Sequence, residues 1–145
     1  MLPDVLALMH RAFAPMDGVI DPPSSLARMT LASLAQPAVE SELWVIAPSD
    51  QPIACVTLTP KADTLYIGKL ATDPARQRSG LARRLIALAE VRARALNLPS
   101  LSLQTRVELT ANHATFRALG FAQTGATAHP GYDRPTSLTF TKPLP

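Results

Sequence analysis

Apolar residues recur along this chain first at helical spacing, then in short β-branched runs, then in an alternation of the two. Residues 2–14, LPDVLALMHRAFA, place Val5, Leu6, Met9 and Phe13 on one stripe and predict a first helix. MDGVIDPPSS is rich in turn formers and reads as a loop. SSLARMTLASLA predicts a second helix capped by Ser24 or Ser25, with Leu26, Met29 and Leu34 facing inward. The period then changes. ELWVIA and PIACVTLTP are strand-like runs separated by PSDQP, a hairpin signal. TLYIGKLAT is a third strand, and Gly68 inside it marks a bulge or a close approach.

The strongest helix follows. Ala82, Leu85, Ile86, Ala89, Ala93 and Leu96 form its stripe, Glu90 can pair with Arg94 on the exposed side, and Asn97 and Pro99 end it. LSLQT is the next strand, with Leu101 and Leu103 on one face. NHATFRAL is a short helix closed by Gly120. FAQTGAT and TSLTFTK are two final strands joined by the polar loop AHPGYDRP. At the centre stands strand, helix, strand. Such a crossover joins parallel strands and brings the helix start to the carboxyl edge of the sheet, where ligands of α/β sheets collect.

The length of 145 residues suits one domain, expected to span 1–145. With 47% apolar and 17% charged residues, the chain can bury a core and is not of disordered composition. A single cysteine, Cys55, excludes an internal disulfide and reads as a small buried hydrophobe. The residues MLPDVLALMHRAF carry an acid and lack the basic start of a signal peptide, and no apolar run is long enough to span a membrane. A cytoplasmic protein without a membrane partner is expected.

Net charge is only +3, but Arg76, Arg78, Arg83, Arg84, Arg92 and Arg94 fall within nineteen positions. They make either a solvated helix face or a local field for an anion. Nucleic acid is not the expected partner, because few aromatics accompany the arginines and no binding motif is present. DPARQRSGLARRLI sharpens the choice. The first turn of a helix leaves backbone N–H groups unpaired at the positive end of its dipole. Gly80 and Ala82 would let a diphosphate reach that backbone. The phosphate-loop pattern G-x-x-x-x-G-K-S/T and the dinucleotide pattern G-x-G-x-x-G are both absent.

Gln77, Gly80 and Ala82, with Pro74 ahead, resemble the Q/R-x-x-G-x-G/A pyrophosphate motif of the GNAT superfamily of N-acetyltransferases. YIGKLATDP is similar to the strand before that motif, and NHATFRALGF to the later helix ending in Gly-Phe. The similarity runs from about residue 40 to the end. It implies an α/β (α+β) fold: a mixed, mostly antiparallel sheet flanked by helices, whose fourth and fifth strands in the family's order splay apart around acetyl-CoA. The implied cofactor contacts are the backbone at Leu70, Ala71 and Thr72, the stretch Gln77, Arg78, Ser79, Gly80, Leu81, Ala82 and Arg83, and Asn112 and Phe116 in the later helix. Asn112 reads equally as an N-cap. No metal is implied. Two features depart from the family. The chain begins almost directly in a helix, where many members have a strand. Phe116 stands where a tyrosine general acid is common, and it has no proton to give.

The expected reaction moves an acetyl group from acetyl-CoA to a primary amine of a small molecule or peptide. The alternative is a non-catalytic acyl-CoA-binding sensor. Candidates for proton transfer are Glu108, after the LSLQT strand, and His129 and Tyr132, which stand with Asp133 in the last loop. Each has a plain structural reading: a solvated carboxylate for Glu108, a self-bonded turn for the loop. Lys69 and Arg106 can favour an acidic substrate or can be ordinary exposed side chains, and His113 reads as a surface histidine. The acceptor and the oligomeric state, a homodimer included, are left open.

Overall fold

The computed structural model describes residues 1–24, 29–35, 40–76 and 79–145. Helix α1 spans Leu2–Phe13, with proline in its first turn where the missing N–H has no cost. Its buried stripe is Val5, Leu8 and Met9, so the inward face is centred on Leu8 and leaves Leu6 and Phe13 half-buried. The second helix is shorter than its pattern suggests: α2 covers Leu31–Leu34. Its cap is Thr30, not Ser24. The Ser33 N–H donates to Thr30 Oγ1 at 3.2 Å and the Thr30 N–H donates to Ser33 Oγ at 2.9 Å, a reciprocal capping box. Met29 precedes this helix, while Ser25 and Leu26 lie outside the described residues.

Strands β1 (Glu42–Ile46), β2 (Ala54–Pro60), β3 (Leu65–Thr72), β4 (Ser100–Arg106), β5 (Ala122–Thr127) and β6 (Ser137–Pro143) form one sheet in the order β1-β2-β3-β4-β6-β5. Every pairing is antiparallel except β3 with β4. The mixed, mostly antiparallel sheet that the resemblance implied is therefore present, and β1 forms one edge of it.

Strand side chains alternate between faces, and the alternation sorts the core. Ala54, Val56 and Leu58 of β2 join Leu65, Ile67, Leu101, Leu103 and Phe140 under helix α3 (Leu81–Ala95). Helix α4 (Thr110–Ala118) adds Phe116 to the same side. Cys55 and Ala71 point the other way, into the cluster built by α1 and α2. In α3 the buried residues are Leu81, Leu85, Ile86, Ala89 and Ala93, so the stripe begins at Leu81, not Ala82, and Leu96 remains 38% exposed. Burying Leu81 contributes roughly 1.5–3 kcal/mol, which fixes how the helix start sits against the sheet. Asn97, at φ +58, ends the helix as its type suggests.

Two charges find tertiary partners in place of helical neighbours. Glu90 bonds Lys142 of β6 at 2.7 Å, not Arg94. Arg92 makes a two-pronged pair with Glu42 of β1, at 2.6 and 2.9 Å, and lies over the Trp44 ring. Its guanidinium holds the Glu42 carboxyl below the usual carboxylate range. Arg92 is thus removed from the group of arginines that could serve a ligand. His113 is buried, not superficial: its Nε2 lies 2.9 Å from the Arg106 carbonyl oxygen and its ring packs on Phe140.

Cys55 is fully buried, and its thiol donates to the Lys69 carbonyl oxygen at 3.8 Å. Burial pushes the thiol pKa up to about 12, so it stays protonated and shielded near neutral pH. A disulfide reagent such as DTNB is expected to leave the folded protein unlabelled and to titrate Cys55 only after denaturation. Rapid labelling of the folded chain would contradict that burial.

Candidate active site

The site begins with a defect in the sheet. Thr57 pairs with Gly68 and Cys55 with Ala71, so Lys69 and Leu70 together oppose the single residue Val56. This is a bulge in β3. Lys69 adopts φ +49 to make it. A Cβ on Gly68 would stand 2.9 Å from Thr57 Oγ1, which accounts for glycine there.

The bulge coincides with a parting of strands. β3 and β4 pair only from Leu65 with Leu101 to Ile67 with Leu103, and beyond this both strands continue without meeting. Residues 68–72 therefore present a strand edge to open space, which an extended ligand can join as an added strand. A cavity of about 1260 Å³ occupies the gap and reaches the start of α3.

At that start Gly80 is the N-cap, at φ +81, with nothing within 4 Å of the Cβ it lacks. No side chain caps the helix. The first-turn N–H groups of Leu81, Ala82 and Arg83 have no acceptor within the helix and carry its positive dipole end. The loop ahead is braced by Ser79, whose hydroxyl donates to the Arg76 carbonyl. Arg76 and Arg83 line the same end of the cavity.

The expected contacts divide clearly. Leu70, Thr72, Gly80, Leu81, Ala82 and Arg83 line the cavity, and so do Asn112 and Phe116 from α4. Ala71 does not; it is 2% exposed and belongs to the α1 side. Gln77 and Arg78 lie outside the described residues. Asn112 is the third residue of α4, and the N-cap is Leu109. Its side chain is therefore not consumed in capping. The Phe116 ring packs against Phe121 and Phe140, at centroid distances of 5.9 and 6.5 Å.

Of the proton-transfer candidates, only His129 lines the cavity. Thr136 Oγ1 accepts from the His129 backbone N–H at 2.9 Å and sits 3.4 Å from the Thr127 carbonyl oxygen, to which it donates. Oγ1 also contacts His129 Nδ1, and which of the two atoms donates depends on the ring tautomer.

Glu108 and Tyr132 bond to the loop between α1 and α2. Glu108 Oε2 accepts from the Asp21 N–H at 3.2 Å. Tyr132 donates its hydroxyl to Asp21 Oδ1 at 2.6 Å, Arg134 reaches Asp21 Oδ2 at 3.2 Å, and Arg106 donates to the Pro22 carbonyl at 2.5 Å. The Asp21 carboxylate bonded to Tyr132 pushes its phenol up. Asp21 had no signal in the sequence, because its partners stand 87 to 113 positions away.

The acetyltransferase (GNAT) family profile matches residues 7–121. Among solved structures, the chain is similar to the ribosomal-protein-S18-alanine N-acetyltransferase of Escherichia coli, at 20% identity and a TM-score of 0.75, covering 98% of this chain and 86% of that one. It is also similar to the PaiA N-acetyltransferase of Thermoplasma acidophilum, solved with coenzyme A, at 12% identity and a TM-score of 0.78 over 99% and 92% of the two chains. No curated protein sequence matches. Among the described residues no helix is long and apolar enough to cross a membrane, and no group of histidine, cysteine or carboxylate side chains could hold a metal. With the family match spanning most of its length, the chain belongs to the GNAT family of acetyltransferases.

Proposed function

We propose that this protein transfers the acetyl group of acetyl-CoA to a primary amine of a small molecule or peptide. The observation that carries the reading is the β3–β4 gap, which opens beside a bulge and runs into the uncapped start of α3. The edge of residues 68–72 suits the amide-bearing arm of CoA, and the N–H groups of Leu81, Ala82 and Arg83 suit its diphosphate.

The chemistry follows from the placement. His129 Nε2 accepts a proton from the acceptor ammonium, which frees the nitrogen lone pair to attack the thioester carbon. A backbone N–H at the bulge, near Leu70, serves the oxygen as it gains charge. The C–N bond forms, the C–S bond breaks, and the sulfur leaves as a thiolate, whose thiol has a pKa of about 8.5 and which takes up the remaining proton of the new amide nitrogen. Such a group departs without an obligatory acid, so the phenylalanine at 116 is compatible with turnover. Glu108 and Tyr132 serve this reaction by holding the loop at Asp21, not by moving protons.

Phe116 favours a second reading, an acyl-CoA-binding protein without turnover, because a donor is missing where relatives often have one. Release of free thiol from acetyl-CoA, followed with a panel of amines, decides between them. The folded protein adds no background, since Cys55 is buried. Amine-dependent thiol release supports the transferase. Thermal stabilisation by CoA without release on any amine supports the binder, and no stabilisation at millimolar CoA removes both.

A further inference from the structure

The charges that line the cavity are all of one sign. Its described walls contain Lys61, Lys69, Arg76, Arg83, Arg106 and His129, and no aspartate or glutamate. Residues 25–28, 36–39 and 77–78 contain no acid either. Arg76 and Arg83 stand at the α3 end, beside the diphosphate seat. Lys61 stands apart from it, at the hairpin before β3, while Lys69 lies between the two at the bulge. Tyr66, with Lys61 over its ring at 5.9 Å, is six residues from Thr72, about 20 Å along an extended strand. That is too far for the phosphates to neutralise strongly across a Debye length of about 8 Å.

Lys61, at the hairpin before β3, and Lys69, at the bulge, have no carboxylate partner among the described residues. Lys69 is half-buried at the bulge, a position where an uncompensated charge is costly unless something pairs with it. Arg106 is occupied by the Pro22 and Pro23 carbonyls, which bring no charge of their own. Of the nearby carboxylates, Asp21 is engaged by Tyr132 and Arg134, while Glu108 accepts from the Asp21 N–H through Oε2 and keeps a buried Oε1 without a hydrogen-bond partner among the described residues. Tyr66 lines the same wall, and burial raises its phenol, which keeps it a neutral donor.

We infer that the acceptor is an amine that also carries an anionic group, a carboxylate or a phosphate, which Lys61 and Lys69 receive. This deepens the proposed transfer and rests on it. A polycationic amine would meet lysines at this end with no acid to oppose them, a costly approach in a half-buried site.

The test compares β-alanine, β-alaninamide and 1,3-diaminopropane, which share a three-carbon spacing, with O-phosphoethanolamine against ethanolamine. Two tetrapeptides, one with acidic side chains and one with glutamines in their place, extend it to peptide acceptors. Turnover is read as kcat/KM, and binding to the CoA-loaded protein by calorimetry. The anionic member of at least one set should exceed its neutral counterpart by about tenfold or more, and the diamine should be the poorest of its set. In a Lys61→Gln/Lys69→Gln double variant that preference should collapse toward unity, read at saturating acetyl-CoA as the ratio of kcat/KM for each anionic amine to that of its neutral counterpart. The carboxylate and phosphate arms identify which anion is used. Equal or better use of neutral or cationic amines would overturn the proposal. So would an unchanged preference in the double variant, or an absence of both binding and turnover for every anionic probe. Failure of CoA itself to bind is a separate result and removes the transferase reading beneath it.

Discussion

Replacing Gly80 by glutamate is expected to weaken CoA binding by about 100-fold or more, because a carboxylate would stand at the diphosphate seat in a partly desolvated cleft. Folding should change little. The left-handed backbone at Gly80, φ +81, costs a side chain roughly 1–2 kcal/mol. An acidic group at a helix N-terminus returns about 0.3–1 kcal/mol through the dipole. Nothing lies within 4 Å of the new Cβ, so no clash adds to this. Gly80→Ala carries the same backbone strain without the charge and separates the two causes. Calorimetric titration of CoA should find Gly80→Ala close to wild type and Gly80→Glu without measurable binding. Equal affinity of Gly80→Glu and wild type would mean that the diphosphate sits elsewhere.

His129→Gln is expected to lower kcat by about 100-fold or more, the usual effect of removing a positioned base. The KM for acetyl-CoA should stay within about twofold, since His129 stands in the last loop, apart from the α3 start that takes the diphosphate. Tyr132→Phe gives the contrast. It removes one hydrogen bond to Asp21 in a clasp that Arg134, Arg106 and Glu108 still hold. A net loss near about 1 kcal/mol in the clasp would lower turnover only modestly. Steady-state kinetics on the best amine would show the difference. Full activity in His129→Gln would remove the base role. An equal collapse in Tyr132→Phe would return the phenol to candidacy as a proton carrier.

Local patterns were readable where neighbours in sequence are also neighbours in space. The alternation in PIACVTLTP and TLYIGKLAT produced β2 and β3, and Gly68 announced the bulge because only a residue without a side chain fits beside Thr57. The stripe of α3 was misplaced at its ends. Which residue of a first turn is buried depends on the angle at which the helix meets the sheet, and Leu81 took that place. The second helix was placed too early, because its N-cap is Thr30, which pairs reciprocally with Ser33. His113 looked polar and therefore superficial, yet the Arg106 carbonyl satisfies its ring in the interior.

What the sequence determined by itself is the helix start at which the proposed donor would sit. Gly80 and Ala82 at a helix start, after a strand with a central glycine, form a contiguous pattern whose chemistry lies mainly in the backbone, and backbone geometry follows from local residue types. Only the tertiary structure decided the acceptor half. The placement of His129 depends on its bonds to Thr136 across a turn. The contacts of Glu108 and Tyr132 depend on Asp21, from the opposite end of the chain. The single sign of charge around Lys61 and Lys69 depends on which elements fail to bring a carboxylate. Side-chain chemistry of that kind is set by contacts between distant segments, and no local pattern of residues encodes which of them will meet.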